Sequence, residues 1–251
     1  GNTVCVSTQI GCRMGCKFCA STLNGLLRNL TAGEILEQII FINAELGGST
    51  KSRQVTNVVL MGMGEPLDNY DNVLKFLHLV SSGDGLNISQ RNITLSTCGI
   101  VPVIERFTEE LPQVNLAISL HAPNNAVRDA LMPVNRRYPI EHLMAACEAH
   151  ARRTGRRVTF EYALAADTND ANRQAEELTM LLQKHFCGKH GTAGLCHVNL
   201  IPLNKVEETG MEGSDRATAE RFRDDLIARG IPATIRREMG ADIDAACGQL
   251  R

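Results

Sequence analysis

Short runs of apolar and β-branched residues alternate with segments of helical periodicity along this chain of 251 residues. The runs cover residues 57–64, 92–99, 114–121, 157–164, 197–204 and 232–238, and a further strand is expected at the N-terminus. The helical segments cover residues 31–46, 69–82, 101–111, 139–153, 171–186 and 217–230. Because strands that are apolar throughout are buried on both faces, this alternation predicts a parallel sheet covered by helices.

About six βα units are too few for a complete eight-fold barrel, but they fit an open one. The predicted fold class is therefore α/β, a partial (β/α)6 TIM-like barrel, with a doubly wound open sheet as the alternative. Four polar segments follow predicted strands: "MGMGEP", "STCG", "SLHAPNN" and "IPLNK". In either fold they lie at the carboxyl ends of the strands, where chemistry collects.

The helix predicted over residues 31–46 has clear signals at its start. Thr31 and Glu34 have the spacing of a capping box. The apolar residues that we expect on one face of this helix are Ile35, Leu36, Ile39 and Ile40. The helix predicted over residues 217–230 ends on a glycine, and a proline follows two residues later.

Composition is that of a globular protein, with 43% hydrophobic and 22% charged residues. No apolar stretch is long enough for a membrane helix, and no signal-peptide pattern is visible. The nine cysteines are an odd number and unevenly distributed, which favours metal or redox ligands in a reducing compartment such as the cytoplasm. A net charge of −2 predicts no general attraction to nucleic acid, although arginines cluster locally at 136–137, 152–153, 156–157 and 236–237.

The stretch "CVSTQIGCRMGCKFC" places Cys12, Cys16 and Cys19 in C-x₃-C-x₂-C spacing. Structural zinc takes four ligands, commonly two separated C-x₂-C pairs, and no second pair follows here. A cubane iron–sulfur cluster can instead be held by three thiolates, with one iron left open for another ligand. Gly11 and Gly15 would let the backbone wrap closely around such a cluster. Zinc with a distant fourth ligand, or simply packed thiols, remain the alternatives.

Four segments together resemble one family. The cysteine stretch, "MGMGEPL", "SLHAPNNAVRDALMPVN" and "DIDAACGQL" are similar, in this order, to motifs of the RlmN/Cfr family of radical S-adenosylmethionine (SAM) RNA adenine methyltransferases. The resemblance extends from Cys5 to Leu250, nearly the whole chain. It implies a partial TIM-like barrel of the radical SAM type, in line with the number of βα units.

The resemblance also implies the residues that bind cofactors. Cys12, Cys16 and Cys19 would hold a [4Fe–4S] cluster whose open iron chelates the methionyl amine and carboxylate of SAM. The residues that match the family's SAM contacts are Gly64, Glu65, Ser96, Ser119, Leu120, His121 and Asn204. Without the cysteine stretch, an equally good explanation of each polar residue among them would be a hydrogen bond within its own loop.

Two further cysteines have implied catalytic roles. Carbons 2 and 8 of adenine are electron-poor, so a radical route replaces polar attack on the SAM methyl group. Cys247 matches the family's methyl carrier. In the family, one SAM methylates this carrier and a second SAM activates the methyl group, so each turnover uses two SAM molecules. Cys5 would then attack the Cys247 sulfur, forming a transient disulfide as the methylated base leaves. Without the resemblance, the residues favour a buried strand thiol at Cys5 and a packed thiol at Cys247.

The implied substrate is an adenosine in 23S rRNA at the peptidyl-transferase centre, and in some members also the tRNA adenosine 3′ of the anticodon. Pro66 in "MGMGEPL" favours the carbon-2 branch over the carbon-8, antibiotic-resistance branch. The base must be reached unstacked, and the arginine clusters would hold phosphates. A flavodoxin-type electron donor, a monomer and no membrane association are expected.

Residues 1–251 are expected to form one radical SAM catalytic core domain. The family's N-terminal accessory RNA-binding domain, which supplies a glutamate proposed as general base, has no counterpart in this sequence. The family's short basic C-terminal extension also has none.

Two other functions stay open at this point: another radical SAM enzyme, such as a glycyl-radical activase, and a zinc-stabilised RNA-binding module. Cys98 and Cys147 are expected to be packing residues. A zinc site built from Cys187, His190, Cys196 and His197 is disfavoured because its loop looks irregular.

Overall fold

The computed structural model describes residues 1–49, 51–187, 194–204, 206–236 and 248–250. Its strands are β1 (Asn2–Cys5), β2 (Gln9–Gly11), β3 (Leu26–Asn29), β4 (Val55–Leu60), β5 (Ile93–Thr97), β6 (Asn115–Ser119), β7 (Val158–Leu164), β8 (Cys196–Pro202) and β9 (Ala233–Ile235). Its α-helices are α1 (Ala32–Glu45), α2 (Tyr70–Ser81), α3 (Val101–Glu110), α4 (Asn125–Leu131), α5 (Ile140–Thr154), α6 (Asn172–Phe186) and α7 (Arg216–Ala228).

Strand order distinguishes between the two predicted architectures. Within the described ranges, one sheet has the order β1-β4-β5-β6-β7-β8-β9, and β2 and β3 form a separate antiparallel pair. Every neighbouring pair in the large sheet is parallel. A doubly wound sheet reverses its strand order at a switch point, whereas this order only advances along the chain. The fold is therefore a parallel, curled partial barrel, as predicted, and its last strand, β9, lies within the run predicted over residues 232–238.

Strand β7 shows how the two faces of this sheet are used. The Phe160 ring packs against Phe186 of α6 at 5.5 Å between centroids, and Tyr162 packs against Phe222 of α7 at 5.3 Å. Because successive side chains of a strand point to opposite faces, Glu161 and Ala163 face away from these helices. Glu161 indeed lines a cavity on the inner side of the barrel. The helices thus cover the outside, while the inner face carries polar side chains.

Helix α1 confirms its predicted start and corrects its predicted face. The Glu34 N–H donates to Thr31 Oγ1 at 3.3 Å, and the Thr31 N–H donates to the Glu34 carboxylate at 2.8 Å, completing the capping box. Ile35 and Ile39 are fully buried, but Ile40 is 46% exposed, so its assignment to the core face was wrong. With 3.6 residues per turn, Ile40 lies about 100° around the helix from Ile39 and passes the edge of the narrow buried stripe.

Two elements were not predicted from the sequence. Helix α4 begins after Asn124, whose side-chain oxygen accepts a hydrogen bond from the Val127 N–H at 2.9 Å. It has only seven residues, too few to show a helical period. The β2–β3 hairpin is equally short. Among the helices of the described ranges, none has both the length and the apolar character needed to cross a bilayer.

Candidate active site

A cavity of about 1010 Å³, counting its open mouth, lies at the carboxyl end of the parallel sheet. Leu60, Ser119 and Pro202, the last residues of β4, β6 and β8, form part of its wall. This is the end of a parallel α/β sheet where enzymes place their chemistry. The predicted site residues that line it are Cys12, Cys16, Cys19, Gly64, Glu65, Ser96, Ser119 and His121.

The three clustered cysteines lie on the cysteine loop, which we define as residues 12–25 between β2 and β3. The Cys12 N–H donates to the Gly25 carbonyl at 3.0 Å, closing the base of this loop. Gly11 has φ +76°, and a Cβ on it would lie 1.9 Å from the Gly25 carbonyl oxygen. Glycine is therefore required at position 11 by the returning chain of the loop itself, a reason different from the predicted approach to a cluster.

Contacts with two distant segments hold the cysteine loop against the cavity. The Lys17 N–H, between Cys16 and Cys19, donates to the carbonyl of Leu131 at the end of α4, at 2.9 Å. The Ala20 N–H donates to the Gly248 carbonyl at 2.7 Å. Both contacts use backbone groups, so they do not depend on which side chains the loop carries at these positions.

The cysteines are in an environment that opposes free thiolates. Burial raises the pKa of Cys12 to about 11, and a hydrogen bond with the Met14 backbone only partly opposes this shift. Burial also raises the pKa of Cys16, and the neighbouring Cys19 and Cys12 thiolate charges raise it further. Near neutral pH Cys12 and Cys16 therefore stay protonated unless a positively charged centre binds them.

The arrangement fits an iron–sulfur cluster better than a single metal ion. Nowhere in the described ranges do three His, Cys, Asp or Glu side chains converge closely enough to bind one ion. In a cubane cluster each thiolate bonds a different iron, so the sulfurs stand further apart around a larger body. Three soft thiol donors lining a single cavity match that requirement.

The segment "MGMGEP", residues 61–66, is held between two neighbouring loops. Gly64 has φ +100°, and a Cβ on it would lie 2.5 Å from Gln9 Cβ. The buried Glu65 carboxylate accepts hydrogen bonds from the Leu67 N–H at 3.0 Å and the Cys98 N–H at 2.8 Å. Burial raises the pKa of Glu65, and these hydrogen bonds oppose the shift. Glu65 thus ties the loop after β4 to the loop after β5 at the cavity wall.

Two of the predicted SAM-contact residues do not line the cavity. The Leu120 side chain is fully buried in the hydrophobic core, and its N–H donates within the sheet at 3.0 Å. Asn204 is buried, with 8% exposure, and directly follows Leu203, which does line the cavity. Ser96 and Ser119, on β5 and β6, both line the cavity.

His121 is held in a single tautomer at the cavity wall. Its Nδ1 accepts a hydrogen bond from the Ala163 N–H at 2.8 Å, so the proton of the neutral ring is on Nε2. Burial, together with the positive charges of Arg128 and Arg236, lowers the pKa of His121 to about 3. The ring also makes an edge contact with Phe18 at 4.8 Å between centroids. His121 is therefore a neutral hydrogen-bond donor near neutral pH.

Glu161 at the cavity wall and Arg128 behind it were missed by the sequence analysis, whereas Arg236 belongs to one of its arginine clusters. Glu161 is 3% exposed, accepts a hydrogen bond from Asn199 Nδ2 at 2.8 Å, and lies 3.5 Å from the Arg236 guanidinium. Burial raises the pKa of Glu161, and the charge of Arg236 opposes this. The strict alternation of β7 is a signal that could have placed Glu161 on the inner face. Arg128 is fully buried in α4, and no sequence pattern indicates that.

The two predicted catalytic cysteines differ in how far the structure describes them. Cys5 is exposed at the carboxyl end of β1, and is therefore not the buried strand thiol that the residues alone favoured. Cys247 lies outside the described residues. The residue bonded to it, Gly248, lines the cavity.

The remaining cysteines follow the packing prediction in part. Cys98 and Cys147 are buried, as expected, and burial raises the pKa of Cys147 to about 12. Cys98 also lines the cavity. Of the disfavoured zinc set, Cys196 is buried and Cys187 is exposed, while His190 lies outside the described residues.

The arginine clusters lie at different ends of the barrel. Arg152 and Arg153 belong to the last turn of α5, which leads into the amino end of β7, opposite the cavity. Arg153 also forms an ion pair with Glu109 at 3.1 Å. Arg236, by contrast, lines the cavity. Of these three arginines, only Arg236 is therefore placed to meet a substrate that enters the cavity.

Comparison with known proteins agrees with this geometry. The family model of the radical SAM superfamily matches residues 6–177. Over all 251 residues the chain is 54% identical to the "Probable dual-specificity RNA methyltransferase RlmN" of Clostridium novyi (strain NT), covering 69% of that protein. It is 52% identical to the protein of the same name from Clostridium perfringens (strain 13 / Type A), covering 68% of it.

Solved structures show the same relationship. A radical SAM methyltransferase from Sphaerobacter thermophilus superposes with a TM-score of 0.92 at 48% identity, over 99% of this chain and 70% of that chain. A domain of pyruvate-formate lyase-activating enzyme from Bacteroides vulgatus reaches 0.53 at 15% identity, over 72% of this chain and 99% of that domain, a likeness of fold alone. On the strength of the family model and the whole-length identities, this chain belongs to the radical SAM superfamily and, within it, to the RlmN family of RNA methyltransferases.

Proposed function

We propose that this enzyme methylates carbon 2 of an adenosine in 23S rRNA, at the peptidyl-transferase centre, and also the tRNA adenosine 3′ of the anticodon. Two substrates agree with the dual specificity in the names of its relatives. Pro66 in the "MGMGEPL" segment supports carbon 2 over carbon 8. The observation that carries the proposal is the shared cavity, which the three clustered cysteines and Gly248 line together.

The cofactor roles follow from that cavity. Cys12, Cys16 and Cys19 would hold the [4Fe–4S] cluster, and Gly64, Ser96 and the other predicted SAM contacts that line the cavity would bind SAM. When bound, the cluster and SAM supply the hydrogen-abstracting radical chemistry that an electron-poor carbon requires. His121 offers a fixed Nε2–H donor at this wall, because its Nδ1 is already occupied by the Ala163 N–H.

Cys247 is the methyl carrier in this proposal. Its thiolate would attack the methyl carbon of one SAM, so the sulfonium S–CH₃ bond breaks as a thioether S–CH₃ bond forms and S-adenosylhomocysteine leaves. A second SAM is consumed when that methyl group is activated and joined to the base. The contacts of neighbouring residues support this role: the Gly248 carbonyl accepts from the Ala20 N–H at 2.7 Å, and the Leu250 carbonyl accepts from Ser21 Oγ at 2.7 Å. Both donors directly follow Cys19.

Cys5 resolves the adduct between protein and RNA. Its thiolate attacks the Cys247 sulfur, the S–C bond breaks as an S–S bond forms, and the released carbon takes a proton to become the methyl group. A dithiol reductant must restore both thiols before the next turnover. The exposure of Cys5 at the carboxyl end of β1, the same end of the sheet as the cavity, supports this role.

The partners follow from the same chemistry. We propose a flavodoxin-type electron donor for the cluster and a monomeric enzyme in which residues 1–251 act as one catalytic core. The target adenosine must leave its base stack to reach an interior cavity. Arg236 supports RNA binding there because it carries a positive charge at the cavity wall.

Mapping of modified adenosine in RNA from cells that lack the gene tests the proposal. A wild-type copy is expected to restore 2-methyladenosine, and a Cys247→Ala copy is expected to restore none. Cys187→Ala is the matched control, because it removes an exposed cysteine that the mechanism does not use. Appearance of 8-methyladenosine would refute the carbon-2 assignment, and full restoration by Cys247→Ala would refute the carrier.

A further inference from the structure

Arg128 in α4 is a fully buried cation, and all the groups that accept its hydrogen bonds are neutral. Its guanidinium donates to the carbonyls of Cys98 at 2.6 Å, Ser119 at 3.2 Å and Leu120 at 3.2 Å. The remaining hydrogen bond goes to the side-chain oxygen of Asn135 at 3.0 Å. Within the described part of the chain, no carboxylate forms an ion pair with it.

A charge in this position is expensive for the protein. Burying an ion without a counter-ion costs several kcal/mol, even when its hydrogen bonds are satisfied. Burial accordingly lowers the pKa of Arg128. Asp129 is linked to Arg128 indirectly, through the Asn135 side chain, which donates to it at 2.7 Å. The fold thus retains the positive charge of Arg128, although no described residue forms an ion pair with it.

The guanidinium lies directly behind the cavity wall. Cys98 and Ser119, whose carbonyls it binds, both line the cavity. Leu131, at the end of the same helix, accepts the Lys17 N–H of the cysteine loop at 2.9 Å. Arg128 is thus connected to the cysteine loop through α4 and to the cavity wall through its own hydrogen bonds, without lying in the cavity.

We infer that Arg128 is the fixed counter-charge of the iron–sulfur cluster, a positioning residue that makes reduction of the cluster easier. The inference rests on the proposed cluster at Cys12, Cys16 and Cys19. Three thiolates outweigh the positive charge of a resting cubane core, so the assembly is an anion that becomes more negative on reduction. A permanent cation behind the wall favours the more negative state, and net charge and surroundings are what set cluster potentials.

A purely structural role is the competing explanation, because three hydrogen bonds from Arg128 join the ends of β5 and β6 to α4. The two explanations differ in the reduction potential of the cluster. We therefore compare anaerobically reconstituted wild type, Arg128→Gln and Arg128→Lys without SAM, by potentiometric titration followed by electron paramagnetic resonance. Arg13→Gln is the matched control: Arg13 lies beside Cys12, but its side chain is 62% exposed and paired with Asp68.

Arg128→Gln is expected to lower the midpoint potential by at least about 59 mV, a tenfold change in the reduction equilibrium of a one-electron couple. Arg128→Lys and Arg13→Gln are expected to stay within about a third of that shift of the wild type. A potential in Arg128→Gln equal to the wild type would overturn the inference. If the wild type itself binds no iron and sulfide, the proposed cluster fails, which is a different result.

Thermal unfolding of the cluster-free proteins covers the case in which Arg128→Gln takes up no cluster. A cluster-free variant that unfolds at the wild-type temperature supports the inference, because the charge is then needed only when the anion is present. Loss of the fold in the cluster-free variant identifies Arg128 as a structural brace and overturns it.

Discussion

The substitution Gly11→Ala tests how the fold positions the cysteine loop. The left-handed φ of +76° at this residue costs a side chain about 1 kcal/mol or more. An alanine Cβ would also lie 1.9 Å from the Gly25 carbonyl oxygen, so the two strands of the hairpin must separate. Separation breaks the 3.0 Å hydrogen bond from the Cys12 N–H to that carbonyl, worth about another 1 kcal/mol. We expect a total loss of about 2 to 3 kcal/mol.

Gly47→Ala is the matched control for backbone strain. Gly47 has nearly the same φ, +75°, but an added Cβ there meets no atom within 4 Å. This variant is expected to lose about 1 kcal/mol of unfolding free energy and to bind iron normally. The comparison therefore separates strain at one residue from displacement of the cysteine loop.

Urea unfolding of cluster-free protein gives the free energies, and iron and sulfide analysis after anaerobic reconstitution gives the cluster occupancy. Gly11→Ala is expected to lose most of its iron because Cys12 moves away from its partners. The reasoning is refuted if Gly11→Ala unfolds like Gly47→Ala and retains the iron content of the wild type.

Three further substitutions or treatments follow from the described contacts. His150 is fully buried and its pKa is lowered to about 4, below the ordinary 6.5, so the unfolded chain binds the proton first as pH falls. The wild type should therefore lose about 2 kcal/mol of unfolding free energy between pH 7 and pH 5 because of this group, whereas His150→Leu should not show this loss. Urea unfolding that shows the same acid sensitivity in both proteins would contradict the prediction. Glu65→Gln should lower the free energy of unfolding by about 1 to 3 kcal/mol, because the NH₂ of the new glutamine faces a backbone N–H that then lacks an acceptor. An unchanged urea midpoint would contradict the role of Glu65 in joining the two loops. In cluster-free folded protein, iodoacetamide should label the exposed Cys5 far faster than the buried Cys147, whose pKa is raised to about 12. Peptide mass mapping measures the two rates, and equal rates would contradict the prediction.

The strands and most helices could be predicted because their signals are local. Parallel strands are apolar runs, and long helices such as α1 show both a period and a cap. The spacing of Cys12, Cys16 and Cys19 likewise needs no tertiary information, and the three residues do line one cavity. The order of the strands could not be chosen from the sequence, because a barrel and a doubly wound sheet share the same alternation.

Features that depend on distant contacts were beyond the sequence. Arg128 is buried because its guanidinium binds carbonyls 30 and 9 residues away, at Cys98 and Ser119. Ile40 follows an apolar pattern, yet it is exposed because the buried stripe of α1 is narrower than that pattern. Leu120 lies within a motif that resembles a SAM-binding segment, but the pleat of the chain turns its side chain into the core.

The central claim is that Cys247 carries the transferred carbon and Cys5 releases it. Removal of the resolving thiol should stop the reaction at the covalent stage. Cys5→Ala protein is produced in cells, purified without oxygen, digested with nuclease and protease, and analysed by peptide mass spectrometry. The expected result is a Cys247 peptide linked through one carbon to adenosine, absent from wild type and from a Cys5→Ala/Cys247→Ala double variant. A Cys5→Ala protein that carries no RNA and still methylates adenosine at the wild-type level would contradict the account.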